Sequence, residues 1–360
     1  MTLLEDYINA ALKMRKVVNV ELHEPGKVFN IRPQLHVILI TPFGKFKTST
    51  LDIIEHLIPK EIVKLKDYTK AGMLGTINKA NIYIEGYLAK AASKVLLLDE
   101  YSEVTPDARK SLLPALHDGS IDRVLGFPSN RPITINKKYF KCKIKDGVIT
   151  GKVLFTCVAA TMYFPEKTSI IPEEQHKAYA LLSRFSPIPV NPDIDEILGI
   201  LSGRDKTPTF DVAPILYDNI VVQLDAYKKY YKLFEDEVIE YRKKFGIKRD
   251  DEGFIARGYD NMLRIDLAKC IKPNVADKNI EVTYIPKTTV FSHVFNCFRC
   301  LDMNLTELKA LDLFLKFPDE HYQFFADKLN ITLRHIKRVH KALIDKNFIT
   351  GDIKDIEGDI

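Results

Sequence analysis

The stretch HVILITPFGKFKTSTLDII, from His36 to Ile54, governs how the rest of this chain is read. Its first part, His36-Val37-Ile38-Leu39-Ile40, is short, apolar and β-rich, as a strand buried on both faces of a parallel sheet must be. It leads into Thr41-Pro42-Phe43-Gly44-Lys45-Phe46-Lys47-Thr48-Ser49 and then into a helix-length segment. A phosphate-binding loop occupies such a strand-to-helix turn. Its backbone N–H groups converge on phosphate oxygens, a Lys reaches the β and γ phosphates, and a hydroxyl binds Mg²⁺. Lys47 and Thr48 stand in the Lys and hydroxyl places, but the usual glycine places hold Thr41 and Phe46, so only Gly44 remains. The segment is either a sparse-glycine phosphate loop or a surface turn that resembles one.

Composition narrows the class. A chain of 360 residues can bury a sizeable core and predicts two or three domains. A formal charge of +5 permits an anionic partner without requiring one. Five cysteines, an odd number scattered along the chain, predict reduced thiols in a cytosolic compartment. The N-terminal MTLLEDYINAALKMRKVV is amphipathic with early acids, unlike a secretory signal. No apolar run approaches the ~20 residues that span a bilayer. The expectation is a soluble, cytoplasmic α/β protein with no membrane partner.

Further buried strands are expected at 94–98 (KVLLL) and 153–160 (VLFTCVAA), separated from the first by helix-length segments. That alternation predicts a parallel sheet covered by helices. It stops near Pro192, and SGRDKTPTF at 202–210 reads as a linker. Helical segments are expected at about 215–245, ended by Gly246, and at 256–271, with no strand of similar strength, so the middle region reads as a helical lid. In the last sixty residues a helix precedes a helix-turn-helix whose turn is Leu329-Asn330-Ile331-Thr332. Leu333, Ile336, Val339 and Leu343 form the buried face of its second helix. The expected division is a core over 1–200, a lid over 201–300 and a winged helix over 301–360.

The strand at 94–98 ends at Asp99-Glu100, two carboxylates at the carboxyl edge of the sheet, where open α/β sheets bind ligands. With the loop strand as its neighbour, Asp99 could hold Mg²⁺ and Glu100 could orient or deprotonate an attacking water. A strand followed by a solvated acidic turn has the same pattern. Thr161, ending the third strand, would sit between loop and acids and could hold that water, or is simply a satisfied strand-end hydroxyl. Arg184, before a Pro-broken turn, suits an arginine finger or a surface cation.

In this order the motifs resemble the AAA+ module of the minichromosome maintenance (MCM) replicative helicases, from Thr41 to Lys269. Gly44, Lys47 and Thr48 match that family's loop, which already lacks the second glycine. YTKAGMLGT (68–76) resembles its helix-two insert, and EGYLAKAASKVLLLDEYSEVTPDARKSLLPALHDGSI (85–121) its Walker B segment. LLSRF (181–185) resembles its arginine finger, and ARGYDNMLRIDLAK (256–269), with Arg257 and Arg264, its sensor-two helix. Three departures stand out: Thr41 for the first loop glycine, Phe46 for a small residue, and Thr161 for a sensor-one Asn. The family's N-terminal oligonucleotide-binding and zinc-binding region has no counterpart before His36. The resemblance implies an AAA+ P-loop core with a parallel sheet, a helical lid and a C-terminal winged helix. It further implies ATP and Mg²⁺ as cofactors and a hexameric homo-oligomeric ring on DNA, with a replication accessory protein as a further partner. Thr41, Gly44, Lys45, Phe46, Lys47, Thr48 and Ser49 would bind nucleotide; Thr48 and Asp99 would bind the metal. Glu100 and Thr161 would act from one subunit, Arg184 and Arg257 from the next. The expected activity is ATP-driven DNA translocation or unwinding in replication. A protein remodeller or transcription activator of the same clade, and a slow-hydrolysing assembly protein, remain as alternatives.

Residues 133–155 read as a hairpin around Asp146-Gly147. Period two puts Lys141, Lys143 and Lys145 on one face, with Lys137 and Lys138 nearer the base. The row could track a phosphate backbone or guard a sheet edge against pairing; the resemblance implies DNA contact. Arg334, Lys337, Arg338 and Lys341 make a second basic face, for which a recognition helix, a solvated face and a protein contact are all open. Cys297 and Cys300 form a single CxxC near His293 within an apolar helix pattern, which reads as core cysteines and not as zinc.

Overall fold

The computed structural model describes residues 2–24, 27–41, 47–78, 80, 82–124, 133–162, 184–190, 209–245, 252–273, 277–299, 305–317, 319–345 and 349. Helix α1 (Thr2–Met14) precedes strands β1 (Asn19–Glu24), β2 (Lys27–Ile31) and β3 (Val37–Thr41). Helix α2 (Lys47–Leu57), β4 (Ile62–Lys64), α3 (Lys70–Leu74), β5 (Gly75–Ile77), β6 (Tyr83–Glu85), α4 (Tyr87–Lys90) and β7 (Val95–Leu98) follow. Then come α5 (Pro106–Asp118), β8 (Ser120–Val124), β9 (Ile133–Lys137), β10 (Phe140–Lys145), β11 (Val148–Val153), β12 (Thr156–Met162) and β13 (Ser186–Pro189). The remainder is β14 (Tyr217–Gln223), α6 (Leu224–Phe245), α7 (Glu252–Cys270), β15 (Asp277–Val282), α8 (Phe291–Arg299), α9 (Leu305–Lys316), α10 (Tyr322–Leu329) and α11 (Leu333–Asp345).

The fold is α/β, and its central sheet is parallel throughout, in the order β13-β3-β12-β7-β4. Two-residue periodicity divides its strands between two cores. Ile38, Ile40, Leu96, Leu98 and Ala159 face one side, where α5 contributes Ala108, Leu112, Ala115 and Leu116. Val37, Leu39, Val95, Leu97, Val158 and Ala160 face the other, against α1, α2 and α7. Because both faces are covered, the strands read as continuous apolar runs, which is why the sequence exposed them. The loop strand and the acid-bearing strand were expected as neighbours; β12 lies between them instead. From Thr156 to Thr161 this strand is completely buried, and the small Ala159 and Ala160 suit the position packed most tightly from both sides.

A second sheet, β15-β14-β1-β2, corrects the purely helical picture of the middle region. Tyr217–Gln223 is a strand, paired in parallel with both β1 and β15, and the helix begins only at Leu224. Ile220, Val221 and Val222 are β-branched residues that two flanking strands bury better than a helix surface would. Helix α6 packs on β1 and β14 of this sheet, and α8 packs on α6, on α7 and on β13 of the central sheet. Buried Asp266 ties them: Tyr230 donates to it at 2.8 Å, and the Thr288 and Thr289 hydroxyls at 2.7 and 2.9 Å. Helices α9, α10 and α11 form a C-terminal unit around Phe314, Phe325, Ile336, Val339 and Leu343. The strand start expected after α11 falls almost wholly outside the described residues. Among the described residues no helix is long and apolar enough to cross a membrane.

Helix α5 shows how local signals set the ends of an element. The Thr105 hydroxyl accepts from Ala108 N–H, Pro106 opens the first turn, and Gly119 ends the helix in the left-handed region at φ 79°. A Cβ on Gly119 would lie 2.5 Å from the Val153 carbonyl oxygen. Gly119→Ala should therefore lower the unfolding free energy by about 2 kcal/mol or more in urea titrations. Gly258→Ala inside α7, whose Cβ would meet a Phe291 ring edge at 3.3 Å, should change it by less than about 1 kcal/mol. Equal effects at the two positions would contradict this account.

Candidate active site

The expected loop residues Gly44, Lys45 and Phe46 lie outside the described residues. What flanks them is clear. Thr41 closes β3, fully buried, and Lys47, Thr48 and Ser49 open α2. Helix α2 crosses back over β3 and β12, so Thr48 reaches over the intervening strand and its hydroxyl donates to Asp99 Oδ1 at 3.4 Å. Asp99 and Glu100 leave the carboxyl end of β7, both partly buried. The register pairs Ala159 with Leu98 on one side of β12 and Thr161 with Ile40 on the other. Thr161 therefore lies between loop strand and acids. Its hydroxyl and that of Thr41 are buried, and neither has a hydrogen-bond partner among the described residues. An unsatisfied buried hydroxyl costs about 1–3 kcal/mol, so the edge has room in its chemistry for a polar ligand. One hydroxyl beside one carboxylate fits a cation that keeps most of its shell as water and substrate oxygens, as Mg²⁺ does. No cluster of three or more His, Cys, Asp or Glu occurs among the described residues. Cys297 is buried, as expected of a core cysteine, and burial pushes its thiol up to about 12; Cys300 lies outside the described residues.

Arg184 and Arg257 lie elsewhere. Ser186 pairs with Val37 at the start of β3, so Arg184 sits beyond the amino edge of the sheet. The five residues of β3, Val37–Thr41, separate that level from the carboxyl edge, about 16 Å. The structure brings Arg184 and Arg257 into electrostatic reach of each other and of His117 at the end of α5. Burial, then Arg257, lowers the Arg184 pKa; burial, then Arg184 and Arg257, lowers that of His117. Behind them Arg32 donates to the Ala115 carbonyl and Arg264 to the Arg32 carbonyl, the latter at 2.8 Å. Burial, then the Arg264 charge, depresses Arg32. This cationic edge was invisible in sequence beyond its two arginines, because Arg32, His36 and His117 carry no motif.

The basic hairpin is as expected, with a two-residue turn in which Asp146 and Gly147 both have positive φ, 49° and 75°. Lys141, Lys143 and Lys145 alternate with buried Phe140, Cys142 and Ile144. The sheet order β8-β11-β10-β9 makes β10 an interior strand, so these lysines guard no edge. Lys152 stands directly opposite Lys141, and Thr134 and Thr150 flank Lys143. Counting back from the turn at period two would have found Lys152 in the sequence. Lys141, Lys143, Lys145 and Lys152 have no ion pair among the described residues, whereas Lys137 pairs with Glu85 at 3.4 Å and Lys138 with Asp218. A separate cavity of about 790 Å³ lies between the β1–β2 hairpin and α6–α7, lined by Tyr227, Tyr231, Phe234 and Tyr259.

Comparison with known proteins finds no matching family model and no curated protein of significant similarity.

The amino edge has a pH signature. His36 is fully enclosed, its Nδ1 accepting from Cys157 N–H at 3.0 Å, and burial followed by the Arg32 and Arg264 charges holds its pKa well below 6.5. The unfolded chain therefore binds a proton near pH 6.5 that the folded chain refuses. Stability is fully present above pH 6.5 and falls as pH drops below it, by up to about 1.4 kcal/mol per pH unit. Melting between pH 7.5 and 5.5, above the range where carboxylates titrate, should show this decline, and His36→Gln should flatten it. A decline of equal slope in His36→Gln would assign the effect to other groups.

Proposed function

We propose that the chain is an ATP-hydrolysing module of the AAA+ class, resembling that of the MCM helicases, which works as a hexameric ring on DNA. In this reading the parallel sheet and its helices form the P-loop core, α6–α8 the lid, and the C-terminal unit a winged helix. The observation that carries it is the meeting of Thr48, Asp99, Glu100 and the unpartnered Thr161 hydroxyl at one carboxyl edge. Mg²⁺ bound by Thr48 and Asp99 would neutralise charge on the β and γ phosphates. Lys47, in the place of the family's loop Lys, would reach the β and γ phosphates. Glu100 takes a proton from the attacking water, Thr161 orients that water, and the bond from the γ-phosphorus to the bridging oxygen breaks. Thr41 and Thr161, standing where the family has Gly and Asn, favour a slow cycle as the second reading.

Arg184 lies beyond the far edge of the sheet, about 16 Å along β3 from these residues, with Arg257 in electrostatic reach of it, too far to reach the same phosphate. A ring removes the difficulty, because the amino edge of one subunit then faces the carboxyl edge of the next. Lys141, Lys143 and Lys145, unpaired on an interior strand, supply a row suited to a phosphate backbone.

Phosphate release with and without single-stranded and forked DNA tests the proposal. DNA should raise turnover, and Lys143→Ala/Lys145→Ala should lose only the stimulation. Glu100→Gln should lower turnover at least ~100-fold and Arg184→Ala roughly 1000-fold. An equimolar mixture of those two inactive proteins should regain turnover, because some interfaces then join an intact Glu100 to an intact Arg184. A mixture as inactive as its parents would sink the shared site. Nucleotide binding without turnover on any DNA would leave the slow-hydrolysing assembly protein.

A further inference from the structure

The C-terminal unit has a surface that the ATPase reading does not use. Helix α11 buries Ile336, Val339, His340 and Leu343 in the three-helix core and exposes Leu333, Arg334, His335, Lys337, Arg338 and Lys341. An open groove of about 440 Å³ runs along Leu333, Arg334, Lys337, Arg338 and Lys341. Arg334, Arg338 and Lys341 make no ion pair among the described residues, and Lys337 lies over the Tyr322 ring at 5.2 Å. Among the described residues of the unit, the acids Glu307, Asp312, Asp319, Glu320 and Asp327 precede α11 and Asp345 ends it; Asp352, Asp355, Glu357 and Asp359 lie outside the described residues. Four like charges within two helical turns repel one another, and a face that only needed solubility would intersperse both signs.

The approach to this helix is built as a tight turn. Asn330 takes the left-handed conformation at φ 52°, ψ 48°, the Ile331 N–H donates to the Ala326 carbonyl at 3.0 Å, and the Thr332 hydroxyl accepts from His335 N–H at 3.2 Å. Tyr322 on α10 and His340 on α11 share a hydrogen bond of 2.9 Å that fixes the pair. Helix, turn and exposed basic helix make the arrangement that enters the major groove. From Arg334 to Lys341 the helix advances about 10 Å, close to the ~12 Å width of that groove, so cations at the two ends can meet phosphates on opposite walls.

We infer that the exposed face of α11 binds duplex DNA through its phosphate backbone, independently of nucleotide and of the Lys141–Lys145 hairpin. Other polyanions fit less well. The helix contains no Phe, Tyr or Trp on which unstacked bases could lie. Its apolar face, Leu333 at the first turn apart, is already buried in the unit, which leaves one apolar side chain and no apolar stripe to insert into an anionic membrane.

The test is fluorescence anisotropy of the full chain, without nucleotide and in EDTA, on a short blunt duplex and on a single strand of the same length, over a salt series. Arg334→Gln/Arg338→Gln/Lys341→Gln should weaken duplex binding at least ~10-fold and reduce the slope of log K against log salt by about 2.7, with circular dichroism and melting unchanged. Lys229→Gln/Lys243→Gln, which removes exposed cations of α6, should leave the duplex slope as in the wild type. An unchanged slope in the α11 variant would overturn the inference. So would equal losses on single strand and duplex, or a loss confined to phosphatidylserine vesicles. None of these outcomes bears on ATP turnover, which stands or falls separately.

Discussion

Placing β12 between β3 and β7 is the constraint on which the rest of the molecule depends. The pairs Thr161–Ile40 and Ala159–Leu98 hold three strands in one parallel register, so three chain segments distant in sequence end at the same level. Alternation then sends Ala159 to one core and Ala160 to the other. A slip of one residue would exchange the faces of the strand and carry Thr161 away from the edge. Register therefore fixes packing and site chemistry together: the side chains that specify the pairing are those that bring Thr48, Thr161 and Asp99 close.

Helix α5 connects the two edges of that sheet. Capped by Thr105, just beyond the acids, it runs thirteen residues from Pro106 to Asp118 beside the cations, about 20 Å of helix against about 16 Å of strand. Its carbonyl end carries the negative pole of the helix dipole, and Arg32 donates to the Ala115 carbonyl there. That pole and Asp118 counter a group of buried guanidinium charges that would otherwise be costly to hold together. In the ring reading, one helix thus links the acid edge facing one neighbour to the cationic edge facing the other.

The parts legible in sequence were those whose signal is local. Val37 to Thr41 and Val95 to Leu98 are buried on both faces, and a continuous apolar run records that directly. Asp146-Gly147 announced its turn, and Asn330 with Thr332 announced theirs. What stayed hidden was pairing between distant segments. The second sheet joins residues near 20, 220 and 280, and Ile220-Val221-Val222 fits a helix pattern as readily as a strand until its partners are known. The order of strands misled for the same reason: sequence shows that β3 and β7 are buried, and nothing in either says which strand lies between. Arg32 and His36 gained their environment wholly from tertiary packing.

Charge distribution gives the final constraint. A net charge of +5 on 360 residues is slight, yet the cations are not spread. Three groups stand out: one at the amino edge of the central sheet, one along a face of β10 and β11, and one on α11. Each gathering carries its own cost, clearest where Lys141 faces Lys152 across the hairpin, since like charges directly opposite destabilise a strand pair. Edge protection explains exposed lysines on an outer strand, but β10 is paired on both sides. Burial does not explain the last two, because the lysines of β10 and the cations of α11 are exposed. In the proposed reading each gathering would meet its own anion: a phosphoryl group at the amino edge, a nucleic-acid backbone at the hairpin, and a duplex at the C-terminal helix.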